Sequence, residues 1–499
     1  MVKKLLCATR FGIDAKIVEV EVTFTRGLPS FIITGLANNS IQEAKQRIQG
    51  VLSFNNFQFS NHKININLYP SDLPKSGSHF DLPIALLIAL YKEDVKLDNW
   101  FAFGELGLDG NVKNSSLIYP LLLSIVQQKK NINVILPSEG KSLYSNIPNL
   151  NIYYASNFSK AIEIIREPKN RAVSYDFTFK SISINDKKYY YDDSYNEDFY
   201  DVKGQVLAKR AALIAAAGMH NIIFEGSPGS GKSMIAKRMQ YILPPLSFEE
   251  MCECVKIKAL GNNELAYSPR RPFRNPHQSS SKASILGSVS QNDIKPGDIA
   301  LSHNGILFFD ELSYFHRDII ESLREPLEDN KLSISRVNVK FTYPTSILFV
   351  GALNPCPCGN LFSIYKECRC SDLEIKKYQN KLSEPFKDRI DLFVKMDERR
   401  SDDVIDSNTL FKQVLNAFNI QKSRNQNNFN GKLSDFEVDK FCILDSTSRF
   451  LLDKAITHFA LSQRGIKKVM KVCRTIADLD SSEIIQKEHL MEALSFRPV

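Results

Sequence analysis

Near the start of the chain, hydrophobic and polar residues alternate in two stretches. In residues 18–24 every second position is apolar, and residues 64–68 repeat the pattern. This period of two is typical of half-buried strands. Between them, residues 40–43 form a capping-box pattern that predicts a helix running to Val51. We therefore predict a mixed α and β domain over residues 1–165.

Further along, the periodicity predicts an alternation of helices and short buried strands. A helical pattern over residues 206–217 ends at Gly218, and wholly apolar strands follow at residues 222–224, 306–309 and 347–350. Short apolar strands that alternate with helices are typical of a parallel sheet covered on both faces. The pattern predicts an α/β core over residues 201–395.

Two other stretches have different patterns. Residues 396–499 carry a helical period and predict a small all-helical domain. Residues 166–200 show neither period and place six aromatic residues among acidic ones between positions 189 and 200. We interpret residues 166–200 as a linker that packs partly onto a neighbouring domain, because so many aromatic residues do not suit a freely solvated tether. A binding site for a partner protein is the alternative.

Composition is that of a multidomain globular protein. The 499 residues are too many for one hydrophobic core, and a share of 43% apolar and 24% charged residues is ordinary for a folded chain. The net charge of +8 permits an anionic partner without requiring one. No apolar run approaches the roughly 18 residues of a membrane span, and the first residues lack the apolar region of a secretory signal. Nine cysteines, an odd number, argue against a disulfide scaffold. We expect a soluble cytoplasmic protein with no membrane partner.

One segment matches the phosphate-binding P-loop pattern at every fixed position. It lies between a predicted strand and a predicted helix and consists of Gly226, Ser227, Pro228, Gly229, Ser230, Gly231, Lys232 and Ser233. In such a loop, glycines let backbone N–H groups converge on phosphate oxygens. The lysine reaches the β- and γ-phosphates, and the serine hydroxyl ligates Mg²⁺. The sequence therefore predicts a site for ATP and Mg²⁺.

A second motif narrows the chemistry to ATP hydrolysis. The apolar strand at residues 306–309 ends in Asp310 and Glu311. At the carboxyl end of a strand, Asp310 can hold Mg²⁺ through water, and Glu311 can polarise the water that attacks the γ-phosphate. After a P-loop, this spacing predicts hydrolysis rather than phosphoryl transfer to a small molecule.

Three further polar residues complete the predicted nucleotide site. Asn354 follows an apolar strand, which places its amide where it can orient the attacking water. Arg389 lies on a short segment leading out of the core, from which it can act on the nucleotide of a neighbouring subunit. Arg464 begins a basic helix and can reach the phosphates from above. For both arginines, spacing alone leaves a surface or capping role open.

Taken together, these residues resemble the magnesium-chelatase-like branch of the AAA+ ATPases, and within it the ComM/YifB family of bacterial proteins. The match spans nearly the whole chain, and outside the P-loop its most specific segments are residues 201–205, 271–277, 296–311, 354–359 and 474–479. The resemblance implies a P-loop AAA+ core with a parallel sheet and a C-terminal helical lid. It also implies a preceding α+β domain like that of Lon protease, of the ribosomal S5 domain 2 type.

The resemblance also assigns roles. Asn354 corresponds to sensor 1, Arg389 to the arginine finger and Arg464 to the sensor-2 arginine of a homo-hexameric ring ATPase. Residues 270–300 correspond to an insert that this branch directs toward the pore of the ring. The family usually has His-His-Thr where this chain has His-Gln-Ser at residues 277–279. Members of the family drive branch migration of DNA junctions during homologous recombination in natural transformation.

The N-terminal domain does not carry the dyad of an active Lon-type protease. His79 occupies the position that corresponds to the nucleophilic serine, and Tyr119 lies where the partner lysine is expected. Because a serine without a base is a poor nucleophile, we expect a proteolytically inactive domain. Ser78 with Lys75 is the alternative dyad.

Four cysteines form a candidate metal site, namely Cys356, Cys358, Cys368 and Cys370. Four thiolates suit tetrahedral Zn²⁺. The C-x-C spacing departs from the usual C-x₂-C, and uncomplexed thiols lining a loop are the alternative. The same quartet recurs in the family that the chain resembles, which favours a structural zinc site.

A local excess of positive charge lies in and before the insert. Between residues 256 and 282, only Glu264 opposes six basic residues, which are Lys256, Lys258, Arg270, Arg271, Arg274 and Lys282. Such an excess suits sequence-independent contact with the phosphate backbone of DNA. A solvated basic face, or arginines buried between subunits, is the alternative.

These observations predict an ATP-hydrolysing hexameric motor that remodels branched or single-stranded DNA. Its expected reaction is branch migration of three- and four-stranded junctions. A chelatase-type ATPase that remodels a protein partner without DNA is the alternative, and an ATP-dependent protease that uses the N-terminal domain is a third possibility.

Overall fold

The computed structural model describes residues 2–55, 57, 62–145, 147–169, 178–261, 266–289, 294–336, 339–396 and 403–497. The chain divides into two compact units. The first comprises Met1–Thr178 together with Val255–Tyr267, and the second comprises Phe179–Cys254 together with Ser268–Val499. Among the described helices, none combines the length and the apolar character that a membrane crossing needs.

The first unit is built on a seven-stranded mixed sheet with the strand order β3-β4-β2-β1-β5-β8-β9. The strands of the unit are β1 (Lys3–Phe11), β2 (Asp14–Arg26), β3 (Ser30–Thr34), β4 (His62–Tyr69), β5 (Trp100–Ala102), β6 (Glu105–Leu106), β7 (Val112–Lys113), β8 (Ile132–Pro137) and β9 (Leu150–Ala155). Of these, β6 and β7 pair with each other outside the seven-stranded sheet. Its helices are α1 (Asn39–Phe54), α2 (Asp81–Ala89), α3 (Ile118–Gln128), α4 (Lys141–Tyr144) and α5 (Phe158–Arg166).

The alternation of residue types explains the central strands of this sheet. β2 and β4 pair antiparallel with Val20 opposite Leu68 and Val22 opposite Ile66. All four side chains are fully buried, which confirms the predicted half-buried strands. The unit combines antiparallel and parallel pairs with helices, as the predicted α+β class requires.

The second unit is organised around a five-stranded sheet with the order β14-β17-β20-β12-β21, in which every pair is parallel. The strands of the unit are β10 (Lys180–Ile184), β11 (Lys187–Tyr191), β12 (Ile222–Glu225), β13 (Leu246–Ser247), β14 (Phe273–Arg274), β15 (Gly287–Val289), β16 (Ile294–Pro296), β17 (Ile306–Phe309), β18 (Lys331–Arg336), β19 (Val339–Pro344), β20 (Leu348–Leu353) and β21 (Leu392–Lys395).

The helices that begin in this unit cover the sheet and form the C-terminal region. They are α6 (Val206–Gly218), α7 (Lys232–Arg238), α8 (Phe248–Leu260), α9 (Lys282–Leu286), α10 (Asp298–Leu301), α11 (Arg317–Ser322), α12 (Arg324–Asp329), α13 (Asp372–Gln379), α14 (Glu384–Lys387), α15 (Ser407–Ser423), α16 (Asp435–Phe441), α17 (Ser446–His458), α18 (Gln463–Leu479) and α19 (Lys487–Ser495). We call α15–α19 the lid.

Both faces of the parallel sheet are buried. Alternate residues of the strands, such as Phe308 and Val350, join one apolar cluster together with residues of α6 and the lid. Their neighbours, such as Phe309 and Phe349, join a second cluster together with α11 and α14. The wholly apolar strands of the sequence are therefore explained by a sheet with two covered faces, which confirms the predicted fold class.

Residues 166–200 differ from the predicted linker in their described part. β10 and β11 form an antiparallel hairpin, and β11 pairs with β13 of the second unit. Tyr189 and Phe199 are buried in the first apolar cluster, and the rings of Tyr189 and Phe418 lie 5.0 Å apart. The aromatic residues thus extend the core, because alternate positions of the hairpin face it.

Candidate functional site

The P-loop joins the end of β12 to the start of α7. Gly229 and Gly231 have φ angles of +80° and +93°, in the left-handed region that suits glycine, and open space lies where a Cβ would project. The buried hydroxyls of Ser227 and Ser230 have no hydrogen-bond partner among the described residues. An open cradle with unpaired polar groups fits the phosphates of a nucleotide.

Lys232 joins the P-loop to the neighbouring strand. Its amino group donates to the carbonyl oxygens of Gly226 at 2.6 Å and Ser227 at 2.8 Å, and to Asn354 Oδ1 at 3.2 Å. Burial lowers the pKa of Lys232 to about 8, although the charges of Asp310 and Glu311 oppose that shift. The lysine, the two acids and the asparagine therefore lie together at the carboxyl edge of the sheet.

Asp310 and Glu311 follow β17 directly. Asp310 is half-buried and Glu311 is exposed, with a φ of +52°. A left-handed conformation in a residue other than glycine costs on the order of 1–3 kcal/mol, and such strain is concentrated at functional sites. The backbone N–H of Glu311 donates to Asp310 Oδ1 at 3.0 Å, which fixes the turn.

Ser233 and Asp310 are the residues that would hold Mg²⁺. Ser233 lies in the first turn of α7, and Asp310 ends the strand two places from β12 in the sheet. Oxygen donors of this kind, a hydroxyl and a carboxylate beside a phosphate cradle, suit Mg²⁺. The residues present therefore fit the ion.

Arg389 and Arg464 lie at the opposite edge of the same sheet. Arg389 precedes β21, which runs parallel to β12, so it is at the amino edge. Glu328 contacts both arginines, because its Oε2 accepts from Arg389 and its Oε1 lies 2.9 Å from Arg464 Nη1. β12 has four residues, so the edges are separated by about 13 Å at about 3.3 Å per residue. Within one chain Arg464 therefore lies away from the P-loop, and its predicted contact with nucleotide phosphates stays a prediction.

Two of the six basic residues considered for DNA contact are structural. Lys256 is 1% exposed, and its amino group donates to Asp14 Oδ1 at 2.8 Å and Gln127 Oε1 at 2.7 Å within the first unit. Arg271 is 3% exposed and donates to the carbonyl oxygens of Pro244 and Asn304. A DNA role for these two residues is therefore incorrect, because burial makes their charges unavailable.

The other four differ in exposure. Arg270 pairs with Asp192 at 2.7 Å and lies over the ring of Tyr241, so its charge is partly satisfied. Lys258 and Arg274 are half-buried, and Lys282 is exposed at the start of α9. The basic surface available to a nucleic acid is therefore smaller than the sequence indicates.

The alternative proteolytic dyad is not formed. The Lys75 amino group donates to the carbonyl oxygen of Pro70, while Ser78 Oγ donates to Glu105 Oε2 at 2.5 Å. His79 is fully buried, its Nε2 lies 2.9 Å from the carbonyl oxygen of Ala8, and burial lowers its pKa to about 4. Tyr119 is buried in the core of the unit. Ser78 and Lys75 therefore do not form a hydrogen-bonded dyad in this structure.

The four cysteines come together as predicted. Their sulfur atoms all lie within 4.8 Å of one another, and three of the separations are 3.4, 3.6 and 3.7 Å. A tetrahedron with Zn–S bonds of about 2.3 Å has edges of about 3.8 Å. The quartet therefore fits a tetrahedral metal ion bound by thiolates.

Comparison with known proteins agrees with this geometry. The family model described as magnesium chelatase, subunit ChlI, matches residues 198–404. Models of subunit ChlI and of its C-terminal part match residues 20–140 and 405–497. Competence protein ComM of Haemophilus influenzae is 33% identical over 97% of this chain and 95% of its own length. The chain belongs to the ComM/YifB family.

Other relatives of this ComM/YifB member extend the comparison. YifB of Escherichia coli is 34% identical over 98% of this chain and 95% of its own length. The magnesium-chelatase 67 kDa subunit of Heliobacterium mobile is 21% identical over 31% of this chain and 27% of its own length. Membership of this chelatase-like AAA+ family implies that the chain is an ATPase.

Sequence reasoning missed three residues that complete the site. Glu328 connects the two arginines, and Asn221 Nδ2 donates to the carbonyl oxygen of Arg389 at 2.9 Å. Gln205 Nε2 donates to the carbonyl oxygen of Ser230 at 3.1 Å and so braces the P-loop. Only Gln205 lies in a segment that the family resemblance had singled out.

Proposed function

We propose that this chain is an ATP-driven DNA motor that works as a hexamer. Its reaction is branch migration of three- and four-stranded junctions, which serves homologous recombination and natural transformation. One observation supports an ATPase that works as an assembly of several copies. The hydrolytic residues lie at one edge of the sheet and two arginines at the other, so a complete site requires a second copy of the chain.

In this proposal the residues have distinct tasks. Lys232 and the loop N–H groups bind the phosphates of ATP, which is the substrate, and Ser233 with Asp310 holds Mg²⁺. That ion, when bound, neutralises charge on the phosphates. Glu311 takes a proton from the attacking water, and Asn354 orients that water. Arg389 and Arg464 stabilise charge on the γ-phosphate held by the neighbouring subunit.

Mixing two inactive variants tests the divided site. Lys232→Ala removes the phosphate ligand, and Arg389→Ala removes the finger while leaving ATP binding intact. Lys232→Ala alone should not hydrolyse ATP, and Arg389→Ala alone should retain only a low residual rate. A mixture should regain turnover, because some interfaces combine an intact P-loop from one variant with Arg389 from the other. Normal turnover by Arg389→Ala alone would rule out the finger assignment.

DNA remodelling is supported by the name of one relative and by surface charge. The Haemophilus influenzae relative is called a competence protein, and Lys282 is exposed on the insert. The test is ATP-dependent dissociation of a labelled four-way DNA junction by the wild type beside Lys232→Ala. Junction dissociation by the wild type alone is the expected result.

A structural zinc ion completes the proposed cofactor set, together with Mg²⁺. The sulfur separations support it, since they approach the edge of a zinc–thiolate tetrahedron. Zinc here stabilises the loop that follows Asn354. Metal analysis of the purified chain should find about one zinc ion per four-cysteine set.

A chelatase-type motor that remodels a protein partner is the second candidate. It is favoured by the internal use of Lys256 and Arg271, which reduces the basic surface, and by the family models named for subunit ChlI. The same junction experiment separates the two candidates. ATP turnover that is indifferent to linear and branched DNA would favour the protein-remodelling motor.

A further inference from the structure

The amino edge of the parallel sheet contains a polar cavity of about 410 Å³. Arg389, Arg464, Glu328, Asn221 and Lys468 contribute to its lining. The cavity is thus formed by the end of α12, the segment before β21 and the lid helix α18. Both arginines that we propose to act on a neighbouring subunit line it, so the residues that shape this cavity also position the two arginines.

The guanidinium groups of the two arginines share one carboxylate. Glu328 Oε2 accepts from Arg389 Nε at 3.1 Å and also from Nη2, while Glu328 Oε1 lies 2.9 Å from Arg464 Nη1. One negative charge therefore faces two positive charges. The three side chains together keep a net positive charge toward the cavity. The carboxylate lies between the two guanidinium groups and offsets their mutual repulsion.

The backbone that carries Arg389 is held from two sides. The Lys468 amino group donates to the carbonyl oxygens of Asp388 and Ile390, the latter at 3.2 Å. Asn221 Nδ2 donates to the carbonyl oxygen of Arg389 itself at 2.9 Å. Three consecutive carbonyl groups of the segment thus have side-chain donors.

The lysine also connects the segment to the second arginine. Lys468 and Arg464 are four residues apart on α18, so they lie on the same face of that helix. Asn221 is tied to the sheet as well, because its Oδ1 accepts from the backbone N–H of Phe349 at 3.1 Å. The finger segment is therefore attached both to the lid and to the central strand β20.

We infer that Lys468 and Glu328 are positioning residues that hold Arg389 and Arg464 as one unit for the γ-phosphate of a neighbouring subunit. The inference rests on the proposed trans action of Arg389. Lys468 acts on the backbone of the segment and Glu328 on the two side chains. A finger displaced by about 1 Å can lose on the order of 100-fold in rate, so this bracing matters for turnover.

Lys468→Met tests the inference, with Lys467→Met as its matched control. Lys467 is the adjacent residue on α18 and pairs with Asp435 at 2.5 Å instead of with the finger segment. We expect Lys468→Met to lower kcat at least tenfold while KM and the affinity for a fluorescent ADP analogue stay within twofold, because the P-loop lies at the other edge. Lys468→Arg, which can still donate to both carbonyl groups, should recover much of the rate.

A double-mutant comparison separates this inference from the function on which it rests. If Lys468 acts through Arg389, adding Lys468→Met to Arg389→Ala should lower kcat no further. Full turnover by Arg389→Ala would overturn the proposed trans site itself. Lost turnover in Arg389→Ala with normal turnover in Lys468→Met would overturn only the positioning role. Unfolding midpoints of all variants show whether each one is folded.

Glu328→Gln tests, in the same assay, whether the carboxylate positions the two arginine side chains. The amide keeps the shape of the side chain but removes the charge that holds the two guanidinium groups. We expect kcat to fall at least fivefold with unchanged ADP affinity. Glu321→Gln is the control, because Glu321 pairs with Arg324 at 3.3 Å away from the finger. A kcat for Glu328→Gln equal to or above that of wild type would contradict a positioning role.

Discussion

Lys232 has a lowered pKa because its amino group is buried between the P-loop and Asn354. Its amino group contacts two loop carbonyl groups, and burial lowers its pKa from 10.5 to about 8. Bound phosphates favour the charged form, so the pKa of Lys232 in the nucleotide complex lies higher. Below pH 8 both states are protonated. Above pH 8 the free site loses its proton first, and nucleotide binding must take up a proton.

The resulting prediction is a weakening of nucleotide binding with rising pH. Between pH 8 and 9.5, the dissociation constant for a fluorescent ATP analogue should rise up to about tenfold per pH unit, while it stays nearly level between about pH 6 and 7. Lys232→Met removes the titrating group and should show weak affinity without this slope. The same slope in Lys232→Met would assign it to another group.

We propose that Glu311 acts as the base for the attacking water and not as a ligand of ATP. It is exposed at the end of β17, and its left-handed backbone directs the residue away from the regular course of the strand. Glu311→Gln keeps the size but removes the base, so we expect ATP affinity within twofold of wild type and a turnover lowered about 100-fold or more. Stopped-flow binding beside a phosphate-release assay measures both quantities. Turnover above a tenth of wild type would give the base role to another residue.

At the scale of elements, local motifs were predictable and tertiary partners were not. The P-loop, Asp310 and Asn354 each follow a strand directly, so the parallel sheet alone brings them to one edge. Glu328 ends a short helix that has no motif, and its partners lie 61 and 136 positions later in the chain. From the sequence, Lys256 is predicted to be a surface charge, because its partner Asp14 is distant along the chain. Such pairs arise only from the folded arrangement.

The lid owes part of its order to a buried ion cluster around Asp478. Both oxygens of this fully buried carboxylate accept from Arg424 at 2.7 Å, and Asn430 and Arg474 also donate to it. Residues 474–479, one of the segments that resemble the family, thus include both a cation and its buried partner. The role of Arg474 and Asp478 is structural.

Removing this carboxylate should destabilise the protein strongly. Asp478→Ala leaves the two arginines without their shared partner, and we expect the free energy of unfolding to fall by about 3–5 kcal/mol in urea titrations. Asp480→Ala is the control, since Asp480 is exposed and its contact with Arg210 spans 3.6 Å. That control should change the free energy by less than about 1 kcal/mol. Equal effects of both substitutions would contradict the cluster's importance.

The cysteine loop lies directly against the P-loop, so the proposed zinc site would be connected to nucleotide binding. Gly359 follows the first two cysteines with a φ of +81°, and a Cβ built on it would lie 2.5 Å from Pro228 Cδ. The same loop begins immediately after Asn354. A change in the cysteine quartet therefore reaches both sides of the phosphate cradle.

Loss of the metal should therefore weaken nucleotide binding. We expect Cys358→Ser, or removal of zinc by a chelator, to lower the affinity for ADP at least threefold and to lower the unfolding temperature. Cys254→Ser is the control, because a serine can keep the contact of Cys254 with the carbonyl oxygen of His303. Metal content, measured by elemental analysis, should fall only in Cys358→Ser. Unchanged ADP affinity in a zinc-free chain would show that the loop is independent of the metal.

For the molecule as a whole, the residues of the proposed ATPase site are divided between the two edges of one sheet. The P-loop and the acids lie at the carboxyl edge, and the arginines shared by Glu328 lie at the amino edge, about 13 Å away at about 3.3 Å per residue. Glu328 holds both guanidinium groups at the amino edge, away from the P-loop of the same chain. On the proposed division of the site, we therefore expect hydrolysis by a single copy to be slow.

This division predicts that the ATPase rate per chain depends on protein concentration. As copies associate, each P-loop gains the arginines of a neighbouring chain. The rate per chain should therefore rise at least tenfold from nanomolar to micromolar protein and then level off. An increase of this size is expected because an arginine finger raises the rate about 10³-fold or more in other P-loop enzymes. Arg389→Ala should remain at the low rate throughout, although sedimentation shows that it still assembles. A rate per chain that stays constant while sedimentation changes from monomer to oligomer would mean that each copy contains its whole active site.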